Sequence, residues 1–425
     1  MRDYAKLSET EKPLLVSGIL IALRNRAFSI SFRDYKQKTE LAKKLIDAIE
    51  DVIEEADIPK AKKQNMRQPY SFIAVHPELS KINSTTNETP LYRLLDDIDK
   101  QVKPFINIYH NFDVIGQFYG EFLRYTGGDK KGLGIVLTPK HITELFAKIA
   151  NLTPKTVVLD TCAGTSGFLI SSMFEMIKKA KTDEEKLYIK KNCLVGVEQQ
   201  PNMYALAASN MILRGDGKAN LYQGSCFDEA ITKEVSNRAE VGMINPPYSQ
   251  KGEGLHELDF VYHLLNCIKP NGITIAIVPM SCATSPHPIK DKILEHHRLD
   301  AVMSMPDAIF HPIGVITCIM VFTAHVPHKQ NPFYQSWFGY WKNDGFIKTK
   351  HKGRIDNGNW KSIEESWLDG YFNRKEITGL SVLKKVDSQD EWCAEAYMET
   401  NYSELTENDY IQFIKKYVLS KISEN

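Results

Sequence analysis

Asn245-Pro246-Pro247-Tyr248 is the stretch of this chain best suited to chemistry. It follows Val241–Ile244, an apolar run long enough for a buried strand. Two consecutive prolines remove two backbone donors and fix φ, so the strand must end there. Its tip then carries a rigid cluster of an amide, two prolines and an aromatic ring. Such a cluster fits work on a flat, weakly nucleophilic amine. An exocyclic adenine nitrogen, whose lone pair is delocalised into its ring, is one. The Asn245 carboxamide oxygen and the Pro246 carbonyl could each accept one N–H and hold the nitrogen for attack. Tyr248 could stack on the ring face, as a base turned out of its helix requires. Taken alone, the tetrapeptide fits equally a proline-stopped strand end with a surface tyrosine.

A second group of residues lies upstream. Residues 156–159 read as a strand, followed by Asp160-Thr161-Cys162-Ala163-Gly164-Thr165-Ser166-Gly167-Phe168-Leu169 at the opening of a helix to Ala180. Strand, small-residue turn and helix open a doubly wound nucleotide-binding fold. Gly164 and Gly167 let the backbone come close to a ligand. Asp160 repels phosphate and suits a ligand with a positive or hydroxyl-rich contact face. Residues 194–197 read as the next strand and end at Glu198, where an acidic side chain typically takes both ribose hydroxyls. The strand at 220–223 ends at Gly224-Ser225-Cys226-Phe227-Asp228.

The elements that position these residues can be read in outline. Ser8-Glu9-Thr10-Glu11 is a capping box ahead of a helix with Pro13 in its first turn. A second helix is expected over about 34–56 and another over 91–102, with the basic stretch 60–67 as a solvated loop. Gly116-Gln117-Phe118-Tyr119-Gly120-Glu121-Phe122 and a Gly/Lys loop at 127–134 lead to Thr138, which can cap a helix with Pro139 in its first turn. His141 on that helix reads as a packing or surface residue. Beyond the tetrapeptide, a helix over 258–268 and strands at 273–278, 299–304 and 315–322 follow. Residues 337–352 read as a hairpin. Five Lys/Arg against one Asp between 342 and 354 could form a phosphate-contacting stripe or a solvated face.

Composition narrows the function. Lys+Arg and Asp+Glu are both 53, so the net charge is zero. A protein gripping DNA alone through many phosphates would be basic. Seven scattered cysteines form no CxxC pair and no zinc-spaced cluster, which points to free thiols in a reducing cytoplasm and to no metal site. No signal peptide or membrane span is read. Between 386 and 410 there are eight acids, no Lys or Arg, and Trp392, Tyr397, Met398, Tyr402 and Tyr410. That segment would repel DNA; it suits a protein interface or packs back on the rest of the chain.

Thr138-Pro139, Asp160, Gly164, Gly167-Phe168, Glu198 and Asn245-Pro246-Pro247-Tyr248, in this order, resemble the motifs of adenine-N6 DNA methyltransferases. With the helical N-terminal segment, the chain is more closely similar to the modification (M) subunits of type I-like restriction–modification systems. The resemblance covers residues 1–370 and is most specific at 134–169 and 194–248. It implies an α/β, Rossmann-like domain dependent on S-adenosylmethionine (AdoMet), with a DNA adenine as acceptor. It divides the chain into a helical N-terminal domain at 1–108, a catalytic domain at 109–370 and a C-terminal helical tail at 371–425. Carried onto this chain, the cofactor segments are Ile135, Val136, Leu137, Thr138, Pro139 and Lys140, then Asp160, Cys162, Ala163, Gly164, Thr165, Gly167 and Phe168, then Glu198. Asn245, Pro246, Pro247 and Tyr248 are the catalytic motif. Ser166 stands where the family often has glycine. Ser225 or Cys226 stands where many relatives place an acid against the cofactor adenine, Asp228 is displaced from it, and Ser225, Cys226 and Phe227 are the candidate cofactor contacts of this turn.

The resemblance also implies partners: double-stranded DNA, a specificity subunit, a restriction subunit and a second M subunit. The segment from Trp392 to Tyr410 is the expected docking surface, so a chain cut after about Lys384 should keep its cofactor site. Methylation of RNA or of a protein glutamine also uses an Asn-Pro-Pro-Tyr signature, and a non-catalytic assembly subunit could keep the fold. No helicase motif is present.

Overall fold

The computed structural model describes residues 6–8, 10–37, 39–56, 58–104, 137–215, 220–248, 255–310, 314–349, 353–399 and 405–423. The expectations for residues 116–134, Ile135, Val136, residues 350–352 and Tyr402 lie outside the described residues.

Eleven strands are described. They are Val158–Asp160 (β1), Leu194–Glu198 (β2), Leu221–Gln223 (β3), Val241–Ile244 (β4), Ile273–Pro279 (β5), Arg298–Ser304 (β6), Thr317–Thr323 (β7), Ser336–Tyr340 (β8), Phe346–Thr349 (β9), Gly353–Asp356 (β10) and Ser381–Lys384 (β11). All but β9 and β10 join one sheet in the order β11-β8-β6-β7-β5-β4-β1-β2-β3. β3, β2, β1, β4 and β5 run parallel, and β7 runs antiparallel between β5 and β6. The apolar runs of β1, β4 and β7 are continuous because both faces of these strands are covered. The chain goes outward from β1 through β2 to β3, then returns to the other side of β1 with β4. Strand order therefore reverses between β1 and β4, and ligands of open α/β sheets bind beyond the carboxyl ends of such a pair.

The N-terminal helices rest on this sheet. Ser8 N–H donates to Glu11 Oε2 at 2.8 Å and Glu11 N–H to Ser8 Oγ at 3.4 Å, the reciprocal bonds expected of the capping box. Helix α1 (Glu11–Ala22) is buried at every position but Glu11. It packs between α2 (Leu41–Glu54) and a catalytic-domain helix, Pro201–Leu213. Tyr70 stitches the contact, its hydroxyl bonding Ser17 Oγ at 3.0 Å and Ser209 Oγ at 2.5 Å.

Four expectations need correction. Residues 60–67 are a helix, α3 (Lys60–Arg67), because Met66 is buried while Lys63 and Arg67 both pair with Glu54 of α2. The stretch 34–56 is interrupted: a short 3-10 turn ends at Tyr35 and the helix begins at Leu41. The hairpin at 337–352 is really two structures. Trp337 and Phe338 are fully buried in β8, paired with β6 and β11, and the hairpin is the more polar β9–β10 pair. Finally, 371–425 is not helical throughout, since β11 edges the main sheet. Trp392 is fully buried: its indole N–H donates to Asp387 O at 2.8 Å and the Lys290 ammonium sits 4.4 Å above its ring. Tyr397 and Met398 also pack on this core. Cutting after Lys384 would open it. No single helix among the described residues is long and apolar enough to cross a membrane.

Candidate active site

The turn after β1 is tied down by its own backbone. Cys162 N–H donates to Asp160 Oδ1 at 3.0 Å, and Ala163 N–H to Val197 O at 2.9 Å. Gly164 adopts φ +54°, and no described atom lies within 4 Å of where its Cβ would stand. The glycine thus opens a space that a side chain would fill. Glu198, at the end of β2, accepts Gly164 N–H at 2.9 Å on Oε2 and Gln200 N–H at 2.8 Å on Oε1. A carboxylate offers about four lone-pair sites, so it retains capacity for a ligand's hydroxyls. Beneath the turn, Asn210 Nδ2 donates to Thr165 O at 2.8 Å. The helix that follows is α6 (Gly167–Lys179), after α4 (Pro90–Asp97) and α5 (Lys140–Ile149) in chain order.

Both carboxyls are perturbed. Burial pushes Asp160 up to about 8, against the pull of the Cys162 N–H and with a smaller push from Glu198. Burial also raises Glu198, opposed by its backbone N–H donors. A buried aspartate held near neutrality becomes a charged partner as soon as a cation arrives beside it.

The turn after β3 touches the first turn. The neighbouring Cys226 thiol together with burial holds Cys162 well above the ordinary thiol range. Ser225 N–H donates to Asp228 Oδ2 at 3.1 Å and Phe227 N–H to Ser225 Oγ at 3.2 Å. One oxygen of Asp228 thus holds the turn. Phe227 is partly exposed with its ring on Phe260 and His263, so it offers a face at the rim.

The acceptor side lies at the end of β4. Pro246 is buried, Pro247 exposed, and Asn245 and Tyr248 intermediate. Asn245 Nδ2 donates to Thr138 Oγ1 at 3.0 Å, across 107 residues. Thr138 was expected to cap α5. Instead Pro139 occupies that position with no side-chain cap, and the Thr138 hydroxyl goes to Asn245. The Tyr248 ring stands edge-on to Phe310 at 6.1 Å. Its hydroxyl is buried with no hydrogen-bond partner among the described residues, and burial raises its pKa.

Several of the expected cofactor residues have partners within the chain. The Phe168 ring is buried against Phe146 at 4.6 Å. Lys140 pairs with Glu144 at 3.4 Å on its own helix. Leu137 packs partly buried against the core. His141 is buried, as a packing residue, but it is also polar-bonded. Its Nε2 lies 3.1 Å from Asp344 Oδ2, Arg354 Nη1 donates to the same oxygen at 2.8 Å, and its ring stacks on Phe346 at 4.0 Å. Burial lowers the His141 pKa, and although burial alone would raise Asp344, the His141 and Arg354 hydrogen bonds hold it at about 2. A neutral imidazole therefore donates to an ionised carboxylate that Arg354 neutralises. Where no metal site was expected, His256, Glu257 and Cys282 each bring a ligand-type atom within 4.8 Å of the others. His256 Nδ1 is already used, accepting Leu258 N–H at 3.2 Å as a helix cap.

Sequence reasoning missed Phe310, Asn210 and the partners of His141, for which spacing gives no signal. Asp228 carried one, as the residue just before the helix Glu229–Val235.

Fold and site together define a doubly wound α/β domain in which a glycine-containing turn and a proline-fixed amide lie at one switch point. The chain belongs to the N-6 DNA methylase family, which matches residues 110–425. It is 34% identical, over 98% of its length and 67% of the relative's, to the type II restriction enzyme and methyltransferase RM.BcgI of Heyndrickxia coagulans. It is 25% identical, over 50% of its length, to the type I restriction enzyme EcoKI methylase subunit of Escherichia coli (strain K12), and the match takes in 44% of that protein. Among solved structures, the type I restriction–modification methyltransferase subunit from Streptococcus thermophilus shares the fold. Its TM-score is 0.60 at 20% identity, over 85% of this chain and 76% of that one. A chain from a type I restriction–modification assembly gives 0.62 at 18%, over 97% and 91%. By family the chain is an adenine-N6 DNA methyltransferase of restriction–modification systems.

Proposed function

We propose that this chain transfers the methyl group of AdoMet to N6 of an adenine turned out of double-stranded DNA, as the modification subunit of a cytoplasmic restriction–modification assembly. One observation carries the reading: Gly164, Asp160 and Glu198 stand on the same edge of the sheet as Asn245, on neighbouring strands. AdoMet supplies an activated methyl on a sulfonium. The open space over Gly164, the spare lone pairs of Glu198 and the buried acid of Asp160 fit its methionine backbone, ribose and ammonium. Phe227 is the ring-stacking candidate for its adenine.

Asn245 Oδ1 and the Pro246 carbonyl accept the two N–H groups of the acceptor amine and turn its lone pair toward the methyl. Alignment and exclusion of water supply most of the acceleration, since the nucleophile is neutral and the methyl already activated. With AdoMet bound, the two oxygens would stabilise the positive charge that the nitrogen gains on taking the methyl from sulfur, and its proton would leave to solvent. Tyr248 and Phe310 border the base. Methylation of RNA or protein glutamine, or a purely structural role, is not favoured by a family match that covers this whole site.

Site recognition comes from a specificity subunit in this reading, with double-stranded DNA held between the two and a second M subunit and a restriction subunit as further members. The docking element is the last helix. Glu407–Ser423 exposes Tyr410, Phe413, Ile414, Tyr417 and Val418 at helical spacing, Phe413 by 68%. A contiguous exposed apolar stripe of this kind marks an interaction site. The test is methylation of one plasmid by the chain with and without the product of its genomic neighbour, and by a chain lacking 405–425. Site-specific N6-methyladenine that needs the neighbour and the last helix supports the reading. Site-specific activity of the chain alone overturns the partner assignment.

A further inference from the structure

We propose that the β9–β10 hairpin enters the major groove of the duplex beside the target adenine, with Lys342 and Lys348 on the flanking phosphates. The inference rests on the reading of the chain as a DNA methyltransferase and names the surface that grips the acceptor. Strand direction puts the hairpin on the right edge. β4 and β5 are parallel, β7 is antiparallel to both β5 and β6, and β8 is parallel to β6. The carboxyl end of β8 therefore emerges on the same edge of the sheet as Asn245. From there the chain passes through Lys342 and Asp344 into β9. Its base is rigid: Asp344 Oδ2 lies 3.1 Å from His141 Nε2, and Phe346 stacks on the same imidazole at 4.0 Å. His141 is three residues, at most about 11 Å of chain, beyond Thr138. The Thr138 hydroxyl in turn bonds the Asn245 side chain at 3.0 Å. Phosphates recur about every 3.4 Å along one DNA strand, so a surface at this remove meets the backbone a few nucleotides from the target.

The charge on this hairpin is one-sided. Asp344 is the sole acid among residues 342–354, and it is spent internally. Arg354 Nη1 donates to its Oδ2 at 2.8 Å, with the two side chains only 10% and 1% exposed. Asp356, at the foot of β10, accepts Gly358 N–H at 2.9 Å and Trp360 N–H at 3.3 Å on Oδ1, so it serves the start of the helix Trp360–Phe372. Lys342 and Lys348 both stand exposed. A chain of zero net charge needs such a local surplus to hold a polyanion. The shape agrees. Phe346 and Arg354 fasten one face of the ribbon, while Ile347 and Ile355, opposite each other across the strands, leave the other face open at 50% and 38% exposure. Two strands about 4.8 Å apart fit a major groove about 12 Å wide, where an apolar pair can meet thymine methyls.

The experiment uses the full chain with its specificity subunit and a fluorescent duplex carrying the target site. Anisotropy gives the DNA affinity over a salt series for wild type, Lys342→Gln, Lys348→Gln and the double variant. Lys329→Gln is the control, an exposed lysine in the turn after β7 on the opposite edge of the sheet. We expect each hairpin substitution to reduce the slope of log affinity against log salt by about 0.9, and the double variant by about 1.8. Target and unrelated duplexes should weaken alike, while AdoMet affinity and assembly with the specificity subunit stay put. The slope of Lys329→Gln should equal that of wild type. Slopes unchanged in the hairpin variants, or lowered equally by Lys329→Gln, overturn the proposal. So does a loss of DNA that follows from a loss of the specificity subunit, which would make the hairpin a protein contact. The wild type separates the two levels of the argument. If it neither binds nor methylates the duplex, the reading as a DNA methyltransferase falls and the hairpin with it. If it methylates while the lysine variants keep its slope, only the hairpin falls.

Discussion

The two halves of the site are held by different kinds of contact. On the β1–β3 side the closing bonds are local or reach only to a neighbouring strand or helix. Cys162 N–H reaches Asp160 two residues back, Gln200 N–H reaches Glu198 two back, and Ser225 N–H reaches Asp228 three ahead. On the β4 side the bond that fixes Asn245 spans 107 residues, and the one that fixes the helix behind Thr138 spans 203. The first half is shaped by turn chemistry that each segment carries with it. The second exists only when the sheet, α5 and the hairpin are assembled. Substitutions in the first should therefore change affinity for the methyl donor, and substitutions in the second the rate of transfer.

The largest expected effect lies in the assembled half. Asn245→Ala should cut single-turnover methylation by about 10²–10³-fold, on the scale of removing one preorganised polar contact to a transition state. Calorimetry should find AdoMet affinity within about twofold of wild type, the pattern of a contact made only in the transition state. A matching loss of AdoMet affinity would erase the distinction between the halves.

In the locally built half, Glu198→Ala should weaken AdoMet binding by roughly 1.5–3 kcal/mol for each charge-assisted hydrogen bond lost. The loss also frees Gly164 N–H, so some of it will appear as a looser turn. Transfer from saturating AdoMet should change far less. Unchanged affinity would remove Glu198 from the site.

Tyr248 separates ring from hydroxyl. Its hydroxyl is buried with no partner among the described residues, so Tyr248→Phe should leave activity near wild type and stability equal or slightly higher. Tyr248→Ala should weaken engagement of the turned-out base by about 1–3 kcal/mol, and 2-aminopurine fluorescence at the target adenine would report it. A Phe variant as damaged as the Ala variant would mean that the hydroxyl, not the ring, does the work.

The smallest effect sharpens the electrostatics. Because burial raises Asp160 to about 8, the folded chain holds this proton longer than the unfolded one. Its contribution to stability is therefore greatest below the unfolded carboxylate pKa and is lost as pH rises toward 8. Asp160→Asn should flatten the fall in melting temperature between pH 5 and 8 while weakening AdoMet binding. Binding of cationic AdoMet to the wild type should release protons below pH 8, seen as a dependence of calorimetric heat on the buffer's ionisation enthalpy. A slope unchanged by Asp160→Asn would contradict the assignment.

The same contrast explains what could be read from the sequence. β4, β2 and the turn after β1 were legible, because apolar runs closed by Asp160, Glu198 and two prolines signal themselves locally. Helix α3 was misread because its stability comes from Glu54 of another helix and from the burial of Met66. From its acidic neighbours Trp392 reads either as part of a protein interface or as packed back on the chain, and Lys290 and the core, distant in sequence, settle it as packed. Thr138 was read as a helix cap from its neighbour Pro139, while its partner lay 107 residues away. Long-range partners leave no periodicity to find.

The central claim is that donor and acceptor meet at the reversal between β1 and β4. The most direct measurement is a structure of the chain with its specificity subunit, target DNA and sinefungin, an unreactive AdoMet analogue. The account predicts ribose hydroxyls on Glu198, the analogue's amino-acid end by Asp160 and Gly164, and an extruded adenine whose N6 lies between Asn245 Oδ1 and the Pro246 carbonyl. An analogue seated away from the β1 and β2 ends, or a target base whose amine faces neither oxygen, would contradict it.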